Sequence, residues 1–318
     1  MSIAGPAQGA RPRAVVFAYH NVGVRCLQAL LGRGVEVPLV VTHRDSPGET
    51  IWFASVAALA ASHGIAVITP DDPNTDEVLA RVRAARPDFL FSFYYRHMLK
   101  APLLAAAPRG AFNMHGSLLP RYRGRVPINW AVIHGETETG ATLHVMNEKP
   151  DNGAIVDQMA VPILPDDSAR DVFDKVTVAA ELVLWRSLPA LLDGSARRTP
   201  QDLSQGAYFG GRKPEDGRIP AQLGAAELHN FVRALTRPYP GAFADLAEGR
   251  LVIWQTRHAG SVAQRPAAIA LSAAAGRLQL VCPDGGVLRV TDATLDGAPL
   301  NADNFATHFP QAAVLLAP

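Results

Sequence analysis

The chain has 318 residues, with 30 Lys plus Arg against 29 Asp plus Glu and a formal net charge of +1, which argues against a nucleic-acid binder working by bulk electrostatics. That length suggests two domains, with ample core for the larger one. Only two cysteines occur, Cys26 and Cys282, far apart and without paired spacing, which suits a reducing cytoplasm and offers no structural zinc site.

Residues 1–12 are small and polar and lack the apolar core of a signal peptide, so they read as a flexible N-terminal extension. No later run is long and apolar enough to span a membrane. A cytoplasmic protein with no membrane partner is therefore expected. Residues 14–19 form a short apolar strand, followed by His20-Asn21-Val22-Gly23 and a helix from Val24 towards Arg33, ended by Gly34. This is not GxGxxG, so dinucleotide chemistry is not expected. Residues 37–42 make a second strand, 50–62 a helix, 65–68 a third strand, 75–85 a helix and 89–93 a fourth strand. Continuous rather than alternating apolar runs indicate strands covered on both faces. The βαβ alternation predicts an α/β fold with a doubly wound, mostly parallel, Rossmann-like sheet.

The next strand, 110–114, runs into polar Asn113 and His115 and then into a stretch punctuated by Gly and Pro. A loop of this kind, at the carboxyl end of a strand in an open α/β sheet, is where such folds place ligands. Pro127 opens a helix over 127–134, where its missing N–H costs little. Residues 140–146 and 154–161 read as paired strands. Ser168-Ala169-Arg170-Asp171 resembles a capping box for a helix reaching Leu192. Residues 201–222, rich in Gly, Pro, Arg and Gln, read as a linker. Residues 225–235 form a short amphipathic helix, and Arg237-Pro238-Tyr239-Pro240-Gly241 then breaks the chain. Short apolar runs at 251–254, 269–271, 278–282 and 287–290, separated by Gly, Asp and Pro, predict a small β-barrel.

Three residues of the central stretch offer catalytic roles. His115 can carry a proton near neutral pH. Asn113 leaves the same face of the strand, and its uncharged amide can donate to an oxyanion. Asp151, on the turn Pro150-Asp151-Asn152-Gly153, could approach the imidazole and favour its protonated form. A lone strand-end histidine is more often structural, and such a turn is often only a turn, so spacing alone leaves the site open. His20, His43, His63, His134 and His144 show no metal-ligand spacing and read as surface or core residues.

The run FNMHGSLLPRYRGRVPINWAVIHGETETG, with KPDNGAIVDQ after it, resembles the folate-dependent formyltransferases. The likeness runs from about Val15 to about Ala244, through FSFYYRHMLK, YFGGRKPEDGRI, LHNFVRAL and RPYPGAF. The resemblance implies a formyltransferase catalytic domain over 13–200, the linker over 201–222 and an OB-like C-terminal domain over 223–318. It places the family's catalytic Asn, His and Asp on Asn113, His115 and Asp151. It assigns His97, Met98, Leu99, Arg125, Asn147, Glu148, Lys149 and Pro150 to the folate. The implied formyl donor is 10-formyltetrahydrofolate, and no metal is implied.

Within the family the likeness is greatest to members acting on nucleotide-linked amino sugars. It implies formylation of the 4-amine of UDP-4-amino-4-deoxy-L-arabinose, a step in lipid A modification and polymyxin resistance. A separate dehydrogenase-decarboxylase is then the expected pathway partner. Three alternatives stay open: a methionyl-tRNA formyltransferase, a formyltransferase for another amino-sugar nucleotide, and a non-enzymatic nucleotide-binding module. From residue 211 onward ten Lys plus Arg meet nine Asp plus Glu, which is no basic patch for tRNA. Arg121, Tyr122, Arg123 and Arg125 crowd one loop, where guanidinium groups could hold diphosphate or a folate glutamate tail. One departure is Pro220-Ala221, where relatives often carry an acidic residue and a Trp.

Overall fold

Strands covered on both faces are buried, and residues 14–18 and 89–93 of this fold are buried throughout. The computed structural model describes residues 11–316; most of the extension expected over 1–12 lies outside the described residues. In chain order the first part comprises β1 (Arg13–Ala18), α1 (His20–Gly32), β2 (Glu36–Val41), α2 (Val56–Ser62), β3 (Ala66–Ile68), α3 (Asp76–Ala84), β4 (Phe89–Phe93), α4 (Ala101–Leu104), β5 (Gly110–His115) and β6 (Arg123–Gly124). There follow α5 (Pro127–Ile133), β7 (Glu138–Val145), β8 (Ile155–Pro162), α6 (Ala169–Asp193) and β9 (Tyr208–Phe209). The remainder holds α7 (Ala225–Leu235), β10 (Ala242–Leu246), β11 (Gly249–Ser261), β12 (Ala270–Ala274), β13 (Arg277–Val281), β14 (Gly286–Leu295), β15 (Ala298–Pro299), α8 (Phe305–His308) and β16 (Ala313–Leu315).

The chain divides into two compact units. The first comprises residues up to 124 with 139–161 and 174–208; the second comprises 125–138, 162–173 and 209 onward. The first unit is built on a seven-stranded sheet of order β3-β2-β1-β4-β5-β7-β8. The pairs from β3 through β5 are parallel, and β7 joins β5 antiparallel. The mostly parallel, doubly wound sheet expected from the sequence is what forms. Winding starts at central β1, proceeds to β3 and then reverses to β4, so the carboxyl ends of β1, β4 and β5 gather at the switch point. One face carries Val15, Phe17, Leu39, Val41, Leu90 and Ala111 against Val78, Val82, Leu99 and Leu103. Phe91 meets Phe89, Phe93 and Phe112 with ring centroids 5.6–6.0 Å apart.

Two helices differ from expectation. The helix expected from Val24 begins earlier, at His20: Gly23 N–H donates to the carbonyl of extended Tyr19 at 3.2 Å, so the glycine lies within the first turn. Its role is close packing, since a Cβ there would stand 3.0 Å from Val56 and 3.1 Å from the Ala18 Cβ. The helix expected over 50–62 is confined to Val56–Ser62 because the Ser55 hydroxyl accepts the Ala58 N–H at 3.2 Å and caps it there. The capping box ahead of α6 forms as expected: Asp171 accepts the Ser168 N–H at 2.8 Å and Ser168 Oγ accepts the Asp171 N–H at 3.2 Å.

The second unit carries an antiparallel half-barrel of order β10-β11-β14-β13-β12-β16, with β15 on β14, as the OB-like reading of the C-terminal strands anticipated. Helix α7 buries Leu228, Phe231, Val232 and Leu235 and lies against β11 and β14. Residues 201–222 hold two 3-10 turns, Leu203–Gln205 and Pro214–Gly217, besides β9. Among the described residues no helix is long and apolar enough to cross a membrane.

Candidate active site

Antiparallel pairing of β5 with β7 sets Asn113 opposite His144 and His115 opposite Thr142. Side chains two residues apart share a face of a strand, so Asn113 and His115 project together and His144 meets Asn113 across the ladder. The His144 Nδ1 lies 2.9 Å from the Val145 carbonyl, which can only accept, so that nitrogen carries the hydrogen. Nε2 is left as an acceptor and takes an N–H from the Asn113 amide at 3.1 Å. The second Asn113 N–H remains available to another oxygen.

His115 is 6% exposed, and its Nε2 donates to the Tyr122 carbonyl at 2.8 Å. Its Nδ1 faces Asp151 Oδ1 at 3.6 Å, and the same oxygen stands 3.5 Å from His144 Nε2. One carboxylate oxygen thus lies between two imidazoles. Asp151 Oδ2 is held separately by the Gly124 N–H at 2.8 Å. Burial pushes the Asp151 carboxyl up, yet His115 and His144 in their protonated forms, with the Gly124 N–H, outweigh it and hold the carboxyl well below the usual carboxylate range.

The turn and loop that present these groups are braced. Asp151 adopts the left-handed region at φ +53°, a strained position for a non-glycine residue. Gln201 Nε2 donates to the carbonyls of Asp151 at 3.0 Å and Gly153 at 2.7 Å. A Cβ on Gly153 would fall 1.9 Å from the Val145 carbonyl oxygen, the oxygen that also receives His144 Nδ1–H. On the other side, Thr142 Oγ1 donates to the Ser117 carbonyl at 2.6 Å and accepts from Leu119 N at 3.1 Å and Gln158 Nε2 at 2.8 Å. This fixes the loop whose Tyr122 carbonyl holds His115.

The structure brings Asn113, His115 and Asp151 together and sets His144, which had read as a surface or core residue and is buried, beside them. Register across β5 and β7 decides what His144 meets, and one sequence does not disclose it. Gln201 and Thr142 were also missed and carry no motif signal. Of the expected folate residues, Leu99 is 1% exposed and belongs to the core, so its side chain is spent on packing, whereas Met98 is 51% exposed. His97 lies beside His43 and Tyr95, with ring centroids at 5.1 and 5.8 Å. Asn74 clasps this segment: its Nδ2 donates to the Met98 carbonyl at 3.0 Å and its Oδ1 accepts the Lys100 N–H at 2.8 Å.

Asn147, Glu148, Lys149 and Pro150 are exposed on the loop between β7 and β8, where Asn147 Oδ1 accepts the Lys149 N–H at 2.9 Å. Arg125 belongs to the second unit, where its N–H donates to the Phe209 carbonyl at 2.9 Å. The cluster of Arg121, Tyr122 and Arg123 is less free than expected. Tyr122 is buried, and the Arg123 guanidinium is committed to the carbonyls of Leu203 and Gly206 at 3.2 and 2.9 Å. Among the described residues no group of three or more His, Cys, Asp or Glu side chains is arranged to hold a metal ion.

Comparison with known proteins bears on this site. Residues 15–188 match the formyl transferase family, and residues 212–310 match the formyl transferase C-terminal domain. Among solved structures the chain is similar to WlaRD, a sugar 3N-formyl transferase crystallised with dTDP and 5-N-formyl-THF, at 20% identity and TM-score 0.67, covering 89% of this chain and 98% of that one. It is also similar to an N-formyltransferase from Helicobacter canadensis in complex with folinic acid and dTDP-3-aminofucose, at 20% identity and TM-score 0.66, covering 88% and 99%. A sugar N-formyltransferase from Shewanella aligns at 18% identity and TM-score 0.62, covering 76% of this chain and 96% of that one.

Proposed function

The chain belongs to the formyl transferase family, and we propose that it transfers a formyl group from 10-formyltetrahydrofolate to the 4-amine of a nucleotide-linked amino sugar. The leading substrate is UDP-4-amino-4-deoxy-L-arabinose, for lipid A modification and polymyxin resistance. The observation that carries the reading is Asp151 Oδ1 set 3.6 Å from His115 and 3.5 Å from His144, beside the Asn113 amide. Acyl transfer to an amine needs a proton acceptor and an oxyanion donor side by side, and this cluster offers both.

The residues present fit a folate. The Tyr95 hydroxyl is buried with no hydrogen-bond partner among the described residues, and Met98 presents an apolar side chain to solvent. Flat rings with polar edges suit such a mixture. When bound, the formyl-folate supplies the one-carbon unit already activated on nitrogen. His97, Met98 and the segment Asn147 to Pro150 would hold it.

The chain's own residues then have distinct tasks. The second Asn113 N–H stabilises negative charge developing on the formyl oxygen, with His144 fixing the direction of the amide. His115, with Nε2 committed to Tyr122, accepts a proton at Nδ1 on the side of Asp151. Asp151, held ionised by its surroundings, stabilises the imidazolium and keeps the ring oriented, and the proton can then pass to the departing nitrogen. The near-neutral balance from residue 211 onward, ten Lys plus Arg to nine Asp plus Glu, favours a small nucleotide over a tRNA. The similar structures bound to dTDP and dTDP-3-aminofucose support a nucleotide sugar in the same sense.

The test is a competition among acceptors. Purified protein with 10-formyltetrahydrofolate receives UDP-4-amino-4-deoxy-L-arabinose, dTDP-3-aminofucose and charged initiator tRNA in equal amounts. The amino-arabinose nucleotide is expected to be formylated fastest. Fastest formylation of the tRNA overturns the substrate class, and fastest formylation of the fucose derivative overturns only the sugar.

A further inference from the structure

Residues 199–207 read from the sequence as a domain end and the start of a linker, yet they belong to the first unit and strap together both loops of the candidate site. On one side the strap meets the turn that carries Asp151. Thr199 and Ile155 exchange backbone hydrogen bonds of 2.8 Å in both directions, and the Gln201 amide reaches the carbonyls of Asp151 and Gly153. On the other side it meets the loop whose Tyr122 carbonyl holds His115. The Ala207 carbonyl accepts the Arg123 N–H at 3.1 Å, and the carbonyls of Leu203 and Gly206 accept from the Arg123 guanidinium. A Cβ on Gly206 would fall 2.0 Å from the Pro120 carbonyl oxygen, so strap and loop approach closely.

The pair that matters lies between these attachments. Asp151 Oδ1 stands 3.6 Å from His115 Nδ1, longer than a hydrogen bond, so the separation is set by whatever holds the turn and the loop. The Gly124 N–H on Asp151 Oδ2 ties them at one point, and the strap ties them at a second. Asp151 and Tyr122 both sit in the left-handed region, at φ +53° and +55°. Such backbone persists only where its surroundings over-determine it.

Gln201 is the side chain of the strap that acts on the turn itself. Both its partners are carbonyls, so only the NH2 end of the amide can face them. Its Oε1 is buried with no hydrogen-bond partner among the described residues. A side chain serving stability alone gains nothing from a buried acceptor left unpaired.

We propose that Gln201 is a positioning residue for formyl transfer, acting through Asp151: it holds the turn so that the carboxylate stays beside His115 Nδ1. This rests on the proton-handling role proposed above for Asp151. Its effect falls on the step in which His115 takes the proton and not on binding of the formyl donor.

The test compares wild type, Gln201→Met, Asp151→Asn and the double variant. Gln201→Met keeps the length and bulk of the side chain and removes both donated bonds. Its kcat is expected to fall about ten- to hundredfold, the scale of a misplaced catalytic group, with KM for 10-formyltetrahydrofolate unchanged within about twofold. Added to Asp151→Asn it should cost nothing further, because the two residues act as a unit. At a fixed pH the His115 ring resonances of Gln201→Met should move from their wild-type positions towards those of Asp151→Asn, which a loss of stability elsewhere would not produce. Gln201→Asn, whose amide falls one methylene short of the carbonyls, should not restore the rate, and it decides by the same readouts should Gln201→Met fail to fold. Wild-type kcat in folded Gln201→Met overturns the proposal, as does a multiplicative loss in the double variant or a set of unmoved His115 resonances. Wild-type turnover by Asp151→Asn would instead overturn the role of the carboxylate, and the His115 resonances then decide on Gln201 alone.

Discussion

Asn113 and His144 are direct partners across the antiparallel β5–β7 pair, joined by an amide N–H donated to His144 Nε2 at 3.1 Å. Since His144 Nδ1 is committed to the Val145 carbonyl at 2.9 Å, the neutral ring offers Nε2 as an acceptor. It therefore dictates which end of the Asn113 carboxamide points into the site. An amide free to turn over would present its oxygen, which repels an oxyanion.

The first prediction concerns this pair. Asn113→Ala removes the donor and should lower kcat by about a hundred- to a thousandfold. His144→Ala leaves the donor but frees its orientation, and about a ten- to hundredfold loss is expected on the scale of an outer-layer hydrogen bond. The double variant should be no slower than Asn113→Ala alone, because groups acting as a unit are not additive. Steady-state kinetics of the four proteins checks this, and multiplicative losses would mean that the two act separately.

Gly153 ties the fold to the chemistry. A methyl there would lie 1.9 Å from Val145 O, so Gly153→Ala must move the Asp151 turn, the Val145 carbonyl or both. A loss of about 1–3 kcal/mol in unfolding free energy is expected from such overpacking, accompanied by a fall in kcat as His144 loses its acceptor. Urea denaturation together with turnover reads both. A stability loss with kcat unchanged would show that the turn can shift without disturbing the histidine.

Much of this was legible beforehand. The continuous apolar runs announced the parallel strands, and Asn113 and His115 two residues apart on a strand had to share a face. Asp151 was marked by its turn and by the family resemblance. His144 was not, because its meaning depends on which residue of β5 it opposes, and register is set by sheet geometry rather than local sequence. Leu99 shows the reverse: an apolar residue beside a ligand loop reads alike whether its side chain faces the loop or the core, and here it is buried in the core. The start of α2 at Val56 was missed because the cap at Ser55 competes with a run that could have continued as helix from residue 50.

Asn74 supplies a third prediction. Its amide clasps the Met98 carbonyl at 3.0 Å and the Lys100 N–H at 2.8 Å, and its own N–H is held by Asp72 at 2.9 Å. Asn74→Ala should raise KM for the formyl donor several-fold while leaving kcat within about twofold, since uniform binding is lost without touching the reacting groups. Measured at saturating nucleotide sugar, an unchanged KM would separate the His97–Leu99 segment from folate recognition.

His43 gives the pH dependence a defined window. Burial, with help from neighbouring His97 and Arg96, lowers its pKa from 6.5 to about 4, and its Nε2 accepts the Arg96 N–H at 3.0 Å. Between those two values the unfolded chain binds the proton and the folded chain does not. Stability contributed by the neutral ring is therefore present above about pH 6.5 and lost as pH falls towards 4. His43→Gln should flatten that part of the stability curve, and the His43 ring resonances should titrate near 4. A midpoint near 6.5 would contradict the assignment.

Asp151 Oδ1 lies 3.6 Å from His115 and 3.5 Å from His144, and the last prediction concerns what that carboxylate does for His115. The direct measurement is single-turnover formyl transfer by wild type, His115→Ala and Asp151→Asn, each saturated with 10-formyltetrahydrofolate and with donor affinity determined on the same preparations. Both variants should bind the donor as the wild type does and transfer the formyl group about a hundred- to ten-thousandfold more slowly, the range of general acid–base catalysis. Transfer at near wild-type rate by folded Asp151→Asn would contradict the assignment of the carboxylate to the proton-handling machinery.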